Sequence, residues 1–218
     1  MSHPVDATKS ILHPEVAAYL DSLTAAPDPL PLRMERKAKA LGFPLVGRRA
    51  GRWLELLARM IGARRVLELG SGWGYSAYWL ARGVGPEGQV LGTESDPRCI
   101  AEHRELFANH PLAGRIRLQQ GEALATLRSL SGPYDMIFVD IEKEDYPRAL
   151  ELAVPRIRSG GLLVADNVLW GGKVTQPAAP DDVATRGVLR FNTLLHDDPR
   201  LEAAILPADD GLAVAWVR

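Results

Sequence analysis

The chain has 218 residues, of which 46% are hydrophobic and 24% charged, and its formal net charge is −1 at pH 7. This length favours one domain with a sizeable core, and the near-neutral charge provides no overall field that would attract nucleic acid or an anionic membrane. The single cysteine, Cys99, excludes an intrachain disulfide and a cysteine-bound zinc site. No apolar run approaches the roughly 18 residues of a membrane span, and no signal peptide is recognisable, so we expect a cytoplasmic protein with no membrane partner.

The first 41 residues are predicted to form a helical cap segment, followed by one domain over residues 42–218. A short helix is predicted from Pro14 to Leu23. Prolines at positions 27, 29 and 31 are expected to interrupt the chain before a second helix over about 33–41. Apolar residues at helical spacing predict a third helix from Arg48 to Ile61.

From residue 65 onward, short apolar runs alternate with segments of helix length. The runs cover residues 65–69, 89–93, 116–119, 136–139 and 161–165, and the helical segments lie near 75–83, 97–109, 122–130 and 144–158. A last helix over about 185–196 precedes runs at 201–206 and 212–217, which suit a hairpin. This alternation predicts a doubly wound α/β fold. We expect a mostly parallel seven-stranded sheet with a C-terminal antiparallel hairpin and helices on both faces.

A glycine-rich turn follows the first predicted strand. Gly70, Gly72 and Gly74 have the spacing G-x-G-x-G. This spacing lets the backbone approach a ligand closely, although by itself it also fits a plain tight turn. Tyr75 occupies the place where the dinucleotide fingerprint needs its third glycine, so the loop favours a nucleoside that lacks a pyrophosphate. Glu94 ends the second strand, where a carboxylate can accept both hydroxyls of a ribose.

Other residues near this turn are candidates for contacts with the same ligand. Glu68, within the first strand, is predicted to lie below the loop and to accept a hydrogen bond from loop amides or from an amino group of the ligand. Glu122 and Ala123 follow the third strand and are placed to border an adenine ring. Together with the loop, these residues predict a nucleoside-binding edge of the sheet.

Oxygen-bearing side chains end the fourth and fifth predicted strands, namely Asp140 and the pair Asp166-Asn167. Because the carboxyl ends of neighbouring parallel strands meet at one edge, these side chains can converge beside the glycine loop. Two carboxylates and an amide oxygen suit Mg²⁺, Mn²⁺ or Ca²⁺ rather than zinc. The alternative is that they are unrelated loop acids and a turn asparagine.

Lys143 lies three residues after Asp140. As a neutral amine it can take a proton from a hydroxyl acceptor, provided that its pKa falls, which an adjacent cation and partial burial would favour. The alternative is an ordinary surface charge in the polar run 142–145.

Three strings together resemble the cation-dependent O-methyltransferases, the family that includes caffeoyl-CoA and catechol O-methyltransferases. They are the glycine loop through Tyr75-Ser76, the string from Phe138-Val139-Asp140 through Lys143 to Tyr146, and Asp166-Asn167-Val168-Leu169-Trp170-Gly171-Gly172. C-terminal strings at 189–192, 198–200 and 210–211 also match, so the resemblance covers about residues 42–218.

The resemblance implies a Rossmann-like methyltransferase domain with S-adenosylmethionine (SAM) as cosubstrate. Cosubstrate contacts are implied for Val46, Gly70, Ser76, Glu94 and Asp140, with Gly72 and Tyr75 in the same loop and Glu122-Ala123 near the adenine. The resemblance also implies a divalent cation, Mg²⁺ before Mn²⁺ or Ca²⁺, held by Asp140, Asp166 and Asn167. Lys143, beside Asp140, is implied as the catalytic base, and a homodimer is expected. The pair Ile141-Glu142 departs from the pattern of the family and alters the floor beside the metal.

Three functions are compatible with these residues. The first is SAM-dependent, metal-assisted O-methylation of a catechol-like or other vicinal hydroxylated aromatic small molecule, whose two neighbouring oxygens can chelate one metal. The second is methylation of hydroxyuridine in transfer RNA. This needs a basic track, for which Arg48, Arg49 and Arg52 are candidates, although the near-neutral charge counts against it. The third, a non-catalytic or nicotinamide-binding Rossmann protein, leaves the predicted metal ligands unexplained. The first 40 residues and the loop 170–182 are expected to cover the acceptor pocket.

Overall fold

The structure, a computed structural model, describes residues 12–218. Three helices precede the sheet: α1 (Pro14–Leu23), α2 (Pro29–Leu41) and α3 (Arg48–Met60). The elements that follow are β1 (Arg65–Leu69), α4 (Tyr75–Gly83), β2 (Gln89–Glu94), α5 (Pro97–Phe107), β3 (Ile116–Gln120), α6 (Ala123–Ser129), β4 (Tyr134–Val139), α7 (Tyr146–Ala153), β5 (Ile157–Ala165), α8 (Val183–Asp197), β6 (Leu201–Leu206) and β7 (Leu212–Val217). The start of the predicted cap segment, residues 1–11, lies outside the described residues, and the boundary after residue 41 stays a prediction.

The strands form one sheet in the order β3-β2-β1-β4-β5-β7-β6. The first five strands are parallel, and β7 runs antiparallel to both β5 and β6. This confirms the predicted doubly wound fold with its C-terminal hairpin. The register pairs Leu69 of β1 with Val139 of β4, and Val139 with Ala165 of β5, so these three strands end side by side.

Helices pack on both faces of the sheet and form two apolar layers. Met136 and Phe138 of β4 belong to the layer that contains residues of α2, α3 and α4. Ile137 and Val139 belong to the opposite layer, with residues of α6, α7 and α8. This alternation follows from the period of two in a strand, and it explains why residues 136–139 of β4 form a continuous apolar run.

The helix α2 begins four residues earlier than the sequence predicts. Pro27 lies in the break between α1 and α2 as expected, but the expectation that Pro29 and Pro31 interrupt the chain was wrong. Pro29 and Pro31 lie in the first turn of α2, where backbone N–H groups have no partner within the helix, so proline costs little. The carboxylate of Asp28 caps this turn by accepting a hydrogen bond from Leu30 N at 2.9 Å. Met34 and Ala38 are then buried in the same core as the sheet.

The segment predicted as one helix over 144–158 contains several elements. A 3₁₀ turn at Lys143–Asp145 leads into α7, and a second 3₁₀ turn at Val154–Arg156 leads into β5. Pro155 lies two residues beyond α7, where its missing N–H and its ring prevent further α-helix. Among the helices of residues 12–218, none has the length and apolar character needed to cross a membrane.

Candidate active site

The predicted site begins where β1, β4 and β5 end side by side. Asp140 N donates to Leu69 O at 2.9 Å, and Asp166 N donates to Val139 O at 3.1 Å. Gly70 is in close contact with the same edge, because a Cβ atom there would lie 2.1 Å from Asp140 O. The close backbone contact, together with a φ of +84° at Gly70, requires glycine at this position.

A cavity of about 620 Å³ opens at this edge of the sheet. Most of the predicted site residues line it: Val46, Gly70, Gly72, Tyr75, Ser76, Glu94, Asp140, Lys143, Asp166 and Asn167. The structure therefore brings the predicted nucleoside-binding and metal-binding residues into one space. Its size lies within the range of small-molecule sites in proteins.

The glycine loop forms one wall of the cavity. Gly70, Gly72 and Gly74 all have positive φ values, of +84°, +51° and +87°. Phe43, from the segment between α2 and α3, lies over Gly72 and stacks on Trp73 with ring centroids 4.0 Å apart. The loop is thus held in a conformation that exposes its backbone to the cavity, as close approach to a ligand requires.

Glu94 is held at the end of β2 by backbone hydrogen bonds. One carboxylate oxygen accepts from Gly72 N at 2.8 Å, and the other accepts from Asp96 N at 2.7 Å. Each oxygen keeps a free lone pair for a further donor. The carboxylate is therefore oriented before any ligand binds and is suited to accept two vicinal hydroxyls.

Glu68 does not line the cavity. It is fully buried below the loop, where it accepts a hydrogen bond from Ser71 Oγ, and its Oε1 has no hydrogen-bond partner among the described residues. Burial raises the pKa of Glu68 to about 7, against the lowering effect of hydrogen bonds from Ser71 and Ser76. The loop therefore rests on a carboxyl group that titrates near neutral pH.

Lys143 is buried, with 7% of its surface exposed, so the surface-charge alternative is excluded. Its Nζ donates to Tyr146 Oη at 2.7 Å, to Asp140 Oδ1 at 3.0 Å and to Ile141 O at 3.2 Å. Burial lowers the pKa of Lys143, but Tyr146, Asp140 and Asp166 outweigh burial and raise it above its usual value. In the protein alone, Lys143 is therefore an ammonium, and the lower pKa expected from the sequence requires that the nearby carboxylates be neutralised.

Asp166 is buried, and its Oδ1 has no hydrogen-bond partner within residues 12–218. Burial and then the neighbouring Asp140 raise the pKa of Asp166, whereas Lys143 lowers it. Asn167 follows in the left-handed region with a φ of +54°, which asparagine tolerates better than most residues. A buried carboxylate oxygen without a partner, beside a second carboxylate and an amide, fits a hard divalent cation. The described part of the chain has no cluster of three or more His, Cys, Asp or Glu side chains for a metal, so the amide is needed to complete this set.

The C-terminal strings of the sequence hold the 166–172 loop in place. Val168 N and Leu169 N donate to Gly211 O and Asp210 O at 3.1 and 3.0 Å. Gly171 N donates to the Asp210 carboxylate at 2.6 Å, and the Asn192 side chain donates to Val168 O at 2.8 Å. The structure thus gives these strings a role that the sequence did not reveal, namely to position the loop that carries Asp166 and Asn167.

Two further predicted contact residues, besides Glu68, lie outside the cavity. The carboxylate of Glu122 caps α6, accepting from Leu124 N at 2.7 Å and Ala125 N at 2.6 Å, and neither Glu122 nor Ala123 lines the cavity. Conversely, Phe43, Ser71 and Trp170 line the cavity without having been predicted as site residues. The available signals were the position of Ser71 inside the glycine loop and that of Trp170 inside the 166–172 string, whereas nothing local marked Phe43.

The three arginines considered as a basic track make intramolecular ion pairs. Arg48, Arg49 and Arg52 pair with Glu35, Asp209 and Glu55, respectively. Asp209 also accepts a hydrogen bond from Ala50 N at 3.0 Å, which caps the start of α3. Arg48 and Arg49 therefore connect α3 to other segments, whereas the Arg52–Glu55 pair lies within α3 itself.

Comparison with known proteins agrees with this geometry. The profile of the O-methyltransferase family matches residues 31–217. A catechol O-methyltransferase of Mycobacterium tuberculosis is 35% identical over 213 residues, which are 94% of this chain and 96% of that protein. The chain therefore belongs to the O-methyltransferase family.

Two solved structures of O-methyltransferases are similar over almost their whole length. TomG from Streptomyces achromogenes, involved in tomaymycin synthesis and solved in complex with SAM, has a TM-score of 0.85 at 31% identity, covering 98% of this chain and 99% of that one. An O-methyltransferase from Bacillus cereus, solved in complex with SAH, has a TM-score of 0.84 at 29% identity, covering 94% and 97%. The seven-stranded fold is thus the fold of Rossmann-like methyltransferases.

We predict that Glu68→Gln flattens the dependence of the free energy of unfolding on pH. As pH rises from the ordinary glutamate pKa of 4.5 to about 7, the unfolded carboxyl releases its proton while the native one keeps it. The native state then binds more protons, so wild-type stability falls with rising pH by an amount on the order of 3 kcal/mol from this residue.

Urea denaturation in steps across this pH range, without cosubstrate or metal, measures the effect. Glu87→Gln, at an exposed position, is the matched control. Parallel curves for wild type and Glu68→Gln would show that Glu68 does not titrate as described.

Proposed function

We propose that this protein transfers the methyl group of SAM to one hydroxyl of a catechol-like or other vicinal hydroxylated aromatic molecule, with the assistance of a divalent cation. The observation that carries the proposal is the meeting of two half-sites in one cavity. Glu94 and the glycine loop form the first half, and Asp140, Asp166 and Asn167 form the second. The catechol O-methyltransferase named among the relatives supports the same acceptor class.

The cosubstrate is assigned to the half of the cavity formed by the loop. Glu94, oriented by two backbone amides, accepts the ribose hydroxyls, and Val46, Gly70, Gly72, Tyr75, Ser76 and Asp140 line the path of the methionine part. A contact of Glu122 or Ala123 with the adenine would have to come from the backbone, because the Glu122 carboxylate caps α6 and neither residue lines the cavity. The solved relatives that hold SAM and SAH support this assignment.

The metal is assigned to Asp140, Asp166 and Asn167, with Mg²⁺ preferred over Mn²⁺ or Ca²⁺. A divalent cation bound there would lower the pKa of an acceptor hydroxyl and compensate the charge of the two carboxylates. The unpartnered Oδ1 of Asp166 supports this assignment, because a buried acceptor without a partner is otherwise unfavourable.

In the proposed reaction, the acceptor oxygen attacks the methyl carbon of the sulfonium. The new C–O bond forms as the C–S bond breaks, and the sulfur keeps the electron pair of the broken bond. The hydroxyl proton passes to Lys143 Nζ, which must first have lost a proton of its own. Tyr146 holds this amine in place and is itself anchored by donating to Asp166 O at 2.9 Å.

Transfer RNA as the acceptor receives less support. Arg48, Arg49 and Arg52, the candidates for a basic track, make ion pairs within the protein and do not form a free row of charges. We keep this function as an experimental alternative only.

A homodimer is also proposed, as the resemblance implied. Trp53, Leu56 and Met60 are exposed on α3, and their spacing places them on one face of the helix. An exposed apolar face of this kind is typical of a protein interface. Sedimentation velocity over a range of concentrations measures the assembly, and a monomer at every concentration would contradict the proposal.

We predict that Asp166→Asn abolishes metal-dependent turnover while SAM binding survives. The variant keeps the shape of the side chain but removes one anionic ligand, so turnover with Mg²⁺ should fall by about a hundredfold or more. Isothermal titration calorimetry with Mg²⁺ alone should show weakened binding, and titration with SAM should match wild type. Asp197→Asn, at an exposed position on α8, is the control. Unchanged Mg²⁺ binding by Asp166→Asn would remove Asp166 from the metal site.

We predict that Lys143→Met and Lys143→Arg both lower kcat by about a hundredfold or more, because neither side chain can accept a proton near neutral pH. Without this base, the log of kcat should follow the ionisation of the acceptor and continue to rise at high pH. Arginine keeps the positive charge, so comparing Lys143→Arg with Lys143→Met distinguishes the loss of a proton acceptor from the loss of charge. Activity restored by Lys143→Arg would mean that Lys143 contributes only its charge.

A further inference from the structure

More carboxylates than cationic side chains line the cavity. The carboxylates belong to Glu94, Asp96, Asp140, Glu142 and Asp166, and the cations belong to Arg98 and Lys143. Four of these carboxylates are engaged. Asp96 pairs with Arg98, Glu94 accepts from two backbone amides, and Asp140 and Asp166 lie beside Lys143. Glu142 is the remaining carboxylate.

Glu142 lies at the cavity wall between the end of β4 and the 3₁₀ turn of Lys143–Asp145. It is exposed, and its side chain makes no hydrogen bond or ion pair with any described residue. Ile141 and Lys143 on either side of it also line the cavity. The carboxylate is therefore free to interact with a molecule that enters beside Lys143.

The backbone fixes Glu142 in this position. Asp145 N donates to Glu142 O at 3.0 Å, which closes the turn. The turn in addition packs tightly on α8, because a Cβ atom at Gly187 would lie 2.2 Å from Lys143 O. The backbone of Glu142 is consequently held at the wall of the cavity beside Lys143.

Further carboxylates lie near Glu142 and add to the negative potential at this wall. Burial raises the pKa of Asp145, and the nearby carboxylates of Glu122 and Glu142 add to this effect, against Arg128. The nearest cation of the covering loop, Lys173, is engaged with Asp182 at 3.2 Å. An ammonium group is thus favoured at this wall, and a carboxylate or phosphate is disfavoured.

We propose that Glu142 selects the acceptor by charge, favouring hydroxylated aromatics whose side chain carries an ammonium group and disfavouring those that carry a carboxylate or a phosphate. The inference rests on the proposed function, because it concerns the acceptor half of the same cavity. Selection by Glu142 would narrow the acceptor to catechols with a basic side chain. It would disfavour RNA, and it would disfavour thioesters whose carrier group bears phosphates.

The test compares three catechols that differ only in the charge of a short side chain: an ammonium, a methyl group and a carboxylate. Methyl transfer is measured with SAM and Mg²⁺ at low ionic strength, where charge effects are least screened. The enzymes are wild type, Glu142→Gln and Glu142→Lys. Glu144→Gln is the matched control, since Glu144 lies in the same turn but does not line this cavity.

Wild type should prefer the ammonium acceptor over the methyl acceptor, and the methyl acceptor over the carboxylate. Glu142→Gln should lower the ratio of kcat/KM for ammonium over carboxylate by about tenfold, chiefly through KM, since an exposed charge pair contributes about threefold in each direction. Glu142→Lys should reverse the preference, and Glu144→Gln should retain it.

An unchanged ratio in Glu142→Gln, or an equal change in Glu144→Gln, would overturn the role of Glu142 while leaving the proposed function intact, provided that the methyl acceptor is turned over. If wild type methylates none of the three catechols, the proposed function and the selection by Glu142 are both overturned.

Discussion

Two backbone hydrogen bonds, from Asp140 N to Leu69 O and from Asp166 N to Val139 O, hold the ends of β1, β4 and β5 side by side. Everything in the site depends on this alignment. It places the first residues beyond three strands within one cavity, although they are separated by about a hundred positions of the chain. Gly70 makes the alignment possible, because any side chain there would collide with Asp140 O.

The alignment concentrates acidic groups, which is unfavourable in the protein alone. Glu68 and Asp166 are buried, each has one oxygen without a hydrogen-bond partner among the described residues, and burial raises both pKa values. Lys143 compensates part of this charge. In the proposed complex, the sulfonium and ammonium groups of SAM and the divalent cation supply the rest, so the protein is arranged for cationic ligands before they bind.

The sequence predicted the strands and the residues at their carboxyl ends because both depend on local patterns. Apolar runs bounded by glycine or acidic residues identify parallel strands, and topology then brings Asp140, Asp166 and Asn167 together. The features that the sequence predicted wrongly or did not reveal depend on tertiary contacts. The early start of α2 depends on the tolerance of the first helical turn for proline, and the support of the 166–172 loop depends on contacts with residues 192 and 210–211. The direction of the Lys143 pKa likewise follows from charges that meet only in the fold.

The most direct measurement is the transfer of the labelled methyl group from SAM to catechol and to bulk transfer RNA, each with Mg²⁺ and with EDTA. We expect labelling of catechol that requires Mg²⁺ and is lost in EDTA, with no label in the RNA. Labelling of catechol that persists in EDTA would contradict the metal assignment to Asp140, Asp166 and Asn167. Label in the RNA alone would contradict the acceptor class.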